Sequence, residues 1–320
     1  MRNYVIRRAL LFIPSLIGAS LVIFVLMRLV PGDMAEILVY SAGAEQASVA
    51  KAQVAKIRGE LGLDKPIAVQ YLLWLSNALQ GNFGHSYLED RPVREILADW
   101  FPRTMELAIL TLLLATLWAV PLGVVSAVKQ DRWPDYLCRS LSISGLSIPI
   151  FFSGVLILFV LVRYFQWLPP LEYVSLWEDP TRNLQKIIWP ALAQAFYISA
   201  PIARLTRSQL LEVIREDYVR TARAKGVIEH LVIYRHALKN ALLPVVTFMG
   251  WWVGRLLGGL VIMEIIFQIP GMGMGLITSV NNRDYPTVQA IVFVMAGIFL
   301  LLNLLVDLLY AWLDPRIKYA

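Results

Sequence analysis

Few residues of this chain have the types and spacing that catalytic or metal chemistry requires. The histidines show no metal-ligand spacing: His85, His230 and His236. The single cysteine, Cys138, excludes a disulfide framework and a cysteine-based zinc site. A P-loop needs Gly-Lys followed by Ser or Thr, and no Gly-Lys dipeptide occurs, while the glycine-rich run 271–275 predicts an external turn. We therefore expect a chain that is not an enzyme and has no cofactor and no metal of its own.

The remaining candidates are charges placed within long apolar runs. Charged side chains inside a membrane are costly and commonly functional. Arg255 lies near the middle of its run, so that a structural partner and a water-filled pathway are equally open interpretations. Glu264 and Asp307 lie near the ends of their runs, where reaching the membrane interface is the favoured interpretation. The residues taken as a candidate translocation pathway are Trp251, Arg255 and Glu264.

The composition indicates that lipid surrounds much of the chain. Hydrophobic residues make up 58% and charged residues 16% of the 320 positions, against about 45–50% and about 25% in ordinary globular domains. A membrane-spanning helix needs about 20 mostly apolar residues. Three uncharged runs meet this rule outright: Ala9–Met27, Leu107–Val128 and Ser140–Val162. Three more are weaker, because the first of them carries two prolines and a glutamine and the others each carry one charge: Ile187–Ala203, Ala241–Met263 and Ala290–Leu313. The sequence thus predicts an all-α membrane protein with six transmembrane helices.

The uneven distribution of Lys and Arg predicts the orientation. With the N-terminus inside, the inside segments hold 16 of the 29 basic residues: 1–8, 129–139, 204–240 and 314–320. Cytoplasmic loops carry such an excess, so the N-terminus and the C-terminus are both predicted to be cytoplasmic. The net charge of +6 is then a topology signal, and we expect no nucleic-acid partner.

The cytoplasmic segment 204–240 has a layout that a plain loop does not need. A short polar helix begins near Asp217 and ends near Lys225, and its charge order suits the helix dipole. Gly226 supplies the helix stop, and a second amphipathic helix leads back to the membrane. A rigid helix held between two spans can dock into a groove on a soluble partner. The alternative, an ordinary positive-inside loop, explains the charges but not the helix–glycine–helix order.

The segment resembles the cytoplasmic loop of binding-protein-dependent ABC importer permeases. More narrowly, the chain resembles the dipeptide, oligopeptide, nickel and glutathione permease family, first-subunit type, over almost its whole length. Each matching stretch is weak alone, and their order and spacing are specific. They are Arg28–Asp33, Leu61–Pro66, Gly81–Gly84, Gly145–Pro149, Asp217–Gly226, Pro270–Gly273, Arg283–Pro286 and Asp314–Arg316.

The chain departs from the broad importer signature in one respect. That signature begins Glu-Ala-Ala, and the aligned positions here are Arg220, Thr221 and Ala222. In this part of the signature only Ala222 and Gly226 match, and of its later apolar part only Leu238 does. This pattern is usual for the peptide branch of the family, so it narrows the branch.

The resemblance implies a type I ABC importer permease fold in a bacterial inner (plasma) membrane, as a multi-pass protein. The parts are an N-terminal transmembrane helix, residues 1–29, an external loop with short helices, residues 30–102, and a five-helix permease core, residues 103–320. The implied partners are a second homologous permease, two ABC ATPase subunits that hold ATP and Mg, and an external substrate-binding protein. The implied mechanism is alternating access, driven by the preference of ATP for one state.

The segment from Tyr218 to His230, called the coupling segment below, is predicted to dock onto one ATPase subunit. Its candidate residues are Tyr218, Arg220, Thr221, Ala222, Arg223, Ala224, Lys225, Gly226 and Glu229. The small side chains of Ala222 and Ala224 would let the helix sit deep in a partner's groove. The basic side chains would meet acidic groups at its rim, which sets orientation more than affinity.

The predicted cargo is a peptide-like solute, namely a dipeptide, an oligopeptide or glutathione. Nickel or an opine-type molecule, imported by the same mechanism, is the alternative within the family. Two function classes outside it also stay open. An ion-coupled carrier or a channel would work without an ATPase, although the absence of a midplane carboxylate weakens the carrier, and a membrane receptor or scaffold would move no solute.

Overall fold

The computed structural model describes residues 2–29, 54, 58–59 and 64–313, except for the side chains of residues 2–9, 257, 307 and 309–313. Most of the predicted external loop before residue 64, the side chain of Asp307 and the Asp314–Arg316 motif therefore lie outside the described residues. The motifs Arg28–Asp33 and Leu61–Pro66 are described only in part. Within the described part the chain is mostly helical and contains one two-stranded hairpin.

Eleven α-helices and two strands follow one another in the described residues. They are α1 Arg2–Leu29, α2 Ile67–Leu79, β1 His85–Ser86, β2 Arg91–Pro92, α3 Val93–Val128, α4 Trp133–Ser147, α5 Ile150–Phe165, α6 Pro180–Val213, α7 Asp217–Ala224, α8 Glu229–Leu231, α9 Leu238–Ile266, α10 Met272–Asn281 and α11 Tyr285–Leu313. A π-helical turn, Val232–Ala237, joins α8 to α9. The strands pair antiparallel, with His85 opposite Pro92.

The helices confirm the prediction of a helical protein with several segments able to span a membrane, but not the predicted number of six. Three segments are long and apolar enough to cross a membrane: Leu10–Leu29, Val93–Val128 and Tyr285–Val306. The described residues hold up to five spans if each of two bent helix pairs is counted as one span: α4 with α5, and Glu229–Leu256 with Gly258–Ile266. The run Ile187–Ala203 lies in α6, which has 34 residues but is not one of these segments.

The apolar run Ser140–Val162 is not one straight helix. It divides between α4 and α5, which meet at an angle of 103°. Pro149 precedes the first residue of α5, and Ile148 before it has an extended backbone, with φ −87° and ψ 121°. A residue before proline is pushed out of the helical region, so α4 ends before Pro149. The hydropathy of the run does not change at this point and therefore does not reveal the break.

The glycine-rich run 271–275 is likewise not the predicted turn, because α10 begins within it at Met272. Its glycines allow close packing. A Cβ on Gly273 would lie 2.7 Å from the Cα atom of Val261, and one on Gly275 would lie 2.2 Å from the ring of Trp100. No side chain fits in either space, so glycine here reflects packing density rather than a loop.

One compact unit comprises residues 1–102 and 274–301. Aromatic rings fill part of its interior: Phe24 is fully buried and meets the ring of Tyr71 edge-on, with the centroids 5.4 Å apart. Trp74 meets Phe293 in the same way at 5.6 Å. Such edge-to-face pairs add to the free energy gained by burial.

The second compact unit comprises residues 103–273 and 302–320. Its long helix α6 packs against α4, α5 and α9. Glycines bring two neighbouring helices close to the α6 backbone. A Cβ on Gly123 of α3 would lie 2.7 Å from the carbonyl oxygen of Ala203, and one on Gly145 of α4 would lie 2.8 Å from that of Phe196. The segments that carry the predicted coupling and pathway residues all belong to this unit.

Candidate functional site: coupling segment and pathway residues

The predicted polar helix of the cytoplasmic segment is α7, and it has one buried face. Val219 is fully buried and Ala222 is 8% exposed, both within an apolar cluster formed with residues of α3, α6 and the π-helical turn. The rest of the helix is exposed at Tyr218, Arg220, Thr221 and Ala224. A helix of eight residues is too short to be stable alone, so this packing against its own chain holds it in place.

Gly226 ends α7 as the sequence predicts. Its backbone has φ +76°, in the left-handed region that glycine enters without steric cost. The amide of Gly226 donates to the carbonyl oxygen of Arg223 at 2.9 Å, and that of Val227 donates to the carbonyl oxygen of Ala222 at 3.3 Å. These two bonds form a Schellman motif. The motif fixes the direction in which the chain leaves α7.

An ion pair spans this turn. The Arg223 guanidinium donates to both carboxylate oxygens of Glu229, at 3.0 Å from Nε and 2.7 Å from Nη2. The hydrogen bond with Arg223 lowers the pKa of the Glu229 carboxyl and raises the pKa of the guanidinium. Both side chains are more than a third exposed, so the pair stabilises the turn only modestly. It nevertheless joins the end of α7 to the start of α8.

Further contacts join α7 to the long helices on either side. The Asn240 amide of α9 donates to the Tyr218 hydroxyl at 2.8 Å. Nη1 of Arg223 lies 3.4 Å from the carbonyl oxygen of Ile214, at the end of α6. The short helix is therefore connected to both α6 and α9.

One expected role within the segment needs correction. Ala222 is predicted to enter a partner's groove, and instead it is buried against its own chain, where its small size serves internal packing. Arg223 is bonded to Glu229 within the chain, and its contact with acidic groups at a partner's rim stays a prediction. Arg220 lies 3.6 Å from Asp217 on the helix surface. Ala224 and Lys225 are the exposed positions next to the turn.

The structure brings together two of the three predicted pathway residues. Arg255 is exposed on α9, and its guanidinium lies 5.0 Å from the ring centre of Trp251 and 5.8 Å from that of Trp252. These are cation–π contacts. Among the described residues Arg255 forms no ion pair with a carboxylate, so of the two expected arrangements the paired one is not found.

Glu264, the third, lies elsewhere and does not reach an interface. It is fully buried, and the Thr104 hydroxyl of α3 donates to its carboxylate at 2.6 Å. The same hydroxyl oxygen accepts a hydrogen bond from the amide of Met272, the first residue of α10, at 2.8 Å. A Cβ on Gly271 would lie 2.5 Å from this carboxylate. Glu264 therefore joins α9, α3 and the start of α10, and the expectation that it reaches the membrane interface is wrong.

Sequence reasoning missed a second, buried ion pair in the same unit. Asp135 at the start of α4 is fully buried and accepts two bonds from Arg207 of α6, from Nε at 2.9 Å and from Nη2 at 2.8 Å. The Ser126 hydroxyl of α3 and the amide of Asp131 donate to it as well. Asp135 stands 72 residues from Arg207, and no periodicity links them. The only available signal is an acidic residue in the first turn of a helix that follows a basic loop.

Comparisons with known proteins agree with this architecture. Residues 119–319 match the family model described as binding-protein-dependent transport system inner membrane component, and residues 1–108 match that of the N-terminal part of such components. The chain is 42% identical to the glutathione transport system permease protein GsiC of Salmonella typhimurium and 41% identical to that of Escherichia coli K12. Both matches cover 100% of this chain and 100% of the relative.

A solved structure supports the fold as well. The crystal structure of an amino acid ABC transporter with histidines matches with a TM-score of 0.51, at 15% identity, over 70% of this chain and 94% of that chain. The apolar helices, the helix–glycine–helix segment and the full-length relatives lead to one conclusion. The chain belongs to the family of binding-protein-dependent transport system inner membrane components, the permease subunits of ABC importers.

Proposed function

We propose that α7 is the element through which ATP hydrolysis on another chain drives transport by this one. The observation that carries the proposal is the construction of α7: a buried face on its own chain, an exposed face beside Ala224, and a Schellman turn at Gly226. Links to Asn240 and Ile214 attach it to α9 and α6. A short helix attached to two long ones transmits a push from a docked subunit into the bundle.

The proposed assembly follows from the family. Two ATPase subunits dock from the cytoplasm, a second homologous permease completes the pathway, and an external binding protein delivers the solute. The proposed topology has six spans and cytoplasmic termini, with α6 as the fourth span. The excess of Lys and Arg in the proposed cytoplasmic segments supports this orientation. The chain itself is a non-catalytic subunit in this scheme.

The proposed cargo is a peptide-like solute, and glutathione is the first choice because relatives that match the full length carry that name. A dipeptide or an oligopeptide is the next choice, ahead of nickel or an opine. Arg255, held over two indole rings and exposed, is placed to meet an anionic group of such a solute. Trp251 would line the same stretch of the pathway. Glu264 is better suited to holding α10 in place than to contacting cargo, because it is buried and hydrogen-bonded.

The coupling role is tested on the exposed face of α7. The double variant Ala224→Trp with Lys225→Glu changes two exposed side chains, so insertion and folding should be normal. In vesicles that contain the whole importer, we expect ATP-dependent glutathione uptake and solute-stimulated ATPase activity to fall together. Gln130→Trp, an exposed change in another proposed cytoplasmic segment, is the matched control. Wild-type uptake by the double variant would overturn the proposal for α7.

The transport class has its own test. Uptake by the reconstituted importer should require ATP and the binding protein, and an ion gradient should not replace them. Uptake driven by a gradient without ATPase subunits would instead favour an ion-coupled carrier.

The pathway role of Arg255 has a separate test. Arg255→Gln should lower uptake of an anionic solute while the subunits still copurify. Unchanged uptake would remove Arg255 from the pathway.

A further inference from the structure

A cavity of about 380 Å³ lies between α3, α4 and α6, next to the buried Asp135–Arg207 pair. Its polar lining combines three arginines with hydroxyl groups: Ser126, Arg139, Ser142, Arg204, Arg207 and Ser208. This volume lies within the range of about 300–1,000 Å³ that is usual for small-molecule sites. Nothing in the proposed transport mechanism uses this cavity.

The positive charge of the cavity is only partly compensated. Nε and Nη2 of Arg207 donate to the Asp135 carboxylate, and this carboxylate neutralises the Arg207 guanidinium. Neither Arg139 nor Arg204 forms an ion pair with a carboxylate in the described part of the chain, and Arg139 lies 5.8 Å from the ring centre of Tyr136. Three guanidinium groups thus line one cavity, and the carboxylate that pairs with one of them, Asp135, lies buried beside it. A bound anion would relieve the repulsion between them, and arginine binds phosphate oxygens in a bidentate manner.

The surroundings of the cavity are apolar. Leu122, Cys138, Ile143 and Ala203 complete its lining, and Ile143 is 57% exposed. On the same helix α4, Leu137 and Leu141 are also exposed, at 52% and 42%. A charged cavity beside exposed apolar side chains matches a ligand with an anionic head and an acyl tail. Basic pockets between transmembrane helices bind anionic lipid head groups in this way.

We propose that this cavity is a binding site for a phosphate group, supplied by an anionic lipid whose acyl chains lie along α4. Arg139 and Arg204 bind the phosphate, and Arg207, oriented by Asp135, presents its remaining nitrogen to the same group. The site does not depend on the transport cycle, and only its assignment to the cytoplasmic leaflet depends on the proposed topology. Bound lipid would join α4 to the last part of α6, the part that leads into the coupling segment.

The test uses the whole importer, purified in a non-ionic detergent and exposed to a mixture of phosphatidylglycerol and phosphatidylcholine. Native mass spectrometry then counts the lipid retained. We expect the wild type to retain phosphatidylglycerol selectively. Each basic residue beside an anionic group contributes about fivefold to binding, so Arg139→Gln with Arg204→Gln should weaken retention about 30-fold. The matched control is Lys129→Gln with Arg132→Gln, which removes two exposed charges from outside the cavity.

The competitors distinguish the sources of the anion. If inorganic phosphate displaces the lipid at equal concentration, the cavity is still a phosphate site, but the proposal that a lipid supplies the phosphate is overturned. Displacement by glutathione but not by phosphate would overturn the proposal and assign the cavity to the solute path. Equal retention of both lipids by the wild type, or equal losses in the test and control variants, would also overturn it. The comparison of lipids and competitors on the wild type stands even where the double variant fails to assemble.

Discussion

Two arginine–carboxylate pairs have the same chemistry in very different surroundings. Arg207 binds Asp135 through two nitrogens inside the bundle, where the carboxylate is fully buried. Arg223 binds Glu229 with similar geometry at the surface, where the two side chains are 36% and 57% exposed. A buried carboxylate that loses its partner cannot recover its hydration, whereas an exposed one can.

The two pairs therefore differ in how much free energy the loss of one partner costs. The buried pair, with the Ser126 hydroxyl, joins α3, α4 and α6. The exposed pair closes the turn after α7, and its loss costs little. In the proposed coupling role, a docking subunit can therefore replace a partner of the exposed pair while the buried pair keeps α3, α4 and α6 together.

Removal of the buried basic partner should have the largest effect. Arg207→Met leaves Asp135 buried without a counter-charge, which costs roughly 3 kcal/mol, the lower end of the range for such pairs. We expect lower yield and a lower midpoint of thermal unfolding for the purified complex. Replacing both partners, as Asp135→Leu with Arg207→Met, should recover most of the loss. If Arg207→Met unfolds like wild type, the pair does not hold these helices together.

The next largest effect should come from the buried face of α7. Ala222→Trp forces a large ring into the cluster around Val219 and should destabilise the chain by about 1–3 kcal/mol. Ala224→Trp, two positions away on the exposed face, should leave the unfolding midpoint unchanged. Fluorescence-monitored unfolding of the two variants measures the difference. Equal midpoints would mean that α7 is not packed on its own chain as described.

The turn at Gly226 should have a smaller effect on stability. A β-branched residue is strained at φ +76°, so Gly226→Val should cost about 1 kcal/mol or more. Asparagine tolerates this backbone region, and Gly226→Asn should therefore stay closer to wild type. We expect uptake to fall in the valine variant at normal membrane levels and to be largely kept in the asparagine variant. The same uptake by both variants would show that the left-handed turn is not what aligns the coupling segment.

The surface pair should give the smallest effect. Glu229→Gln should change the unfolding free energy by less than about 1 kcal/mol. Because the pKa of the Glu229 carboxyl is lowered in the folded state, its contribution is present above the ordinary pKa of glutamate and is lost as the pH falls through the lowered value. The difference between wild type and Glu229→Gln should therefore vanish in acid. A difference that grows in acid would contradict this pairing.

The sequence predicts the local features of the coupling segment well. The start of α7, its stop at Gly226 and the continuation into α9 all depend on signals within about twenty residues. It predicts the contacts of Glu264 and Asp135 poorly, since their partners, Thr104 and Arg207, stand 160 and 72 residues away. It also misses the bend between α4 and α5, because hydropathy along a run carries no information about its direction. The prediction of a membrane protein succeeds because it depends on the apolar composition of the chain and not on contacts between distant residues.

The π-helical turn Val232–Ala237 lies between the coupling segment and α9. Its i→i+5 bonding holds about one residue more per turn than an α-helix, so each of its residues turns the chain by less than the about 100° of an α-helical residue. Deleting one residue there, with a return to α-helical winding, should therefore leave the candidate docking residues facing nearly the same direction. Deleting a residue within the regular part of α9 should instead turn them by about 100° around its axis. The π-helical turn thus acts as a length tolerance between the docking residues and the long helix that follows them.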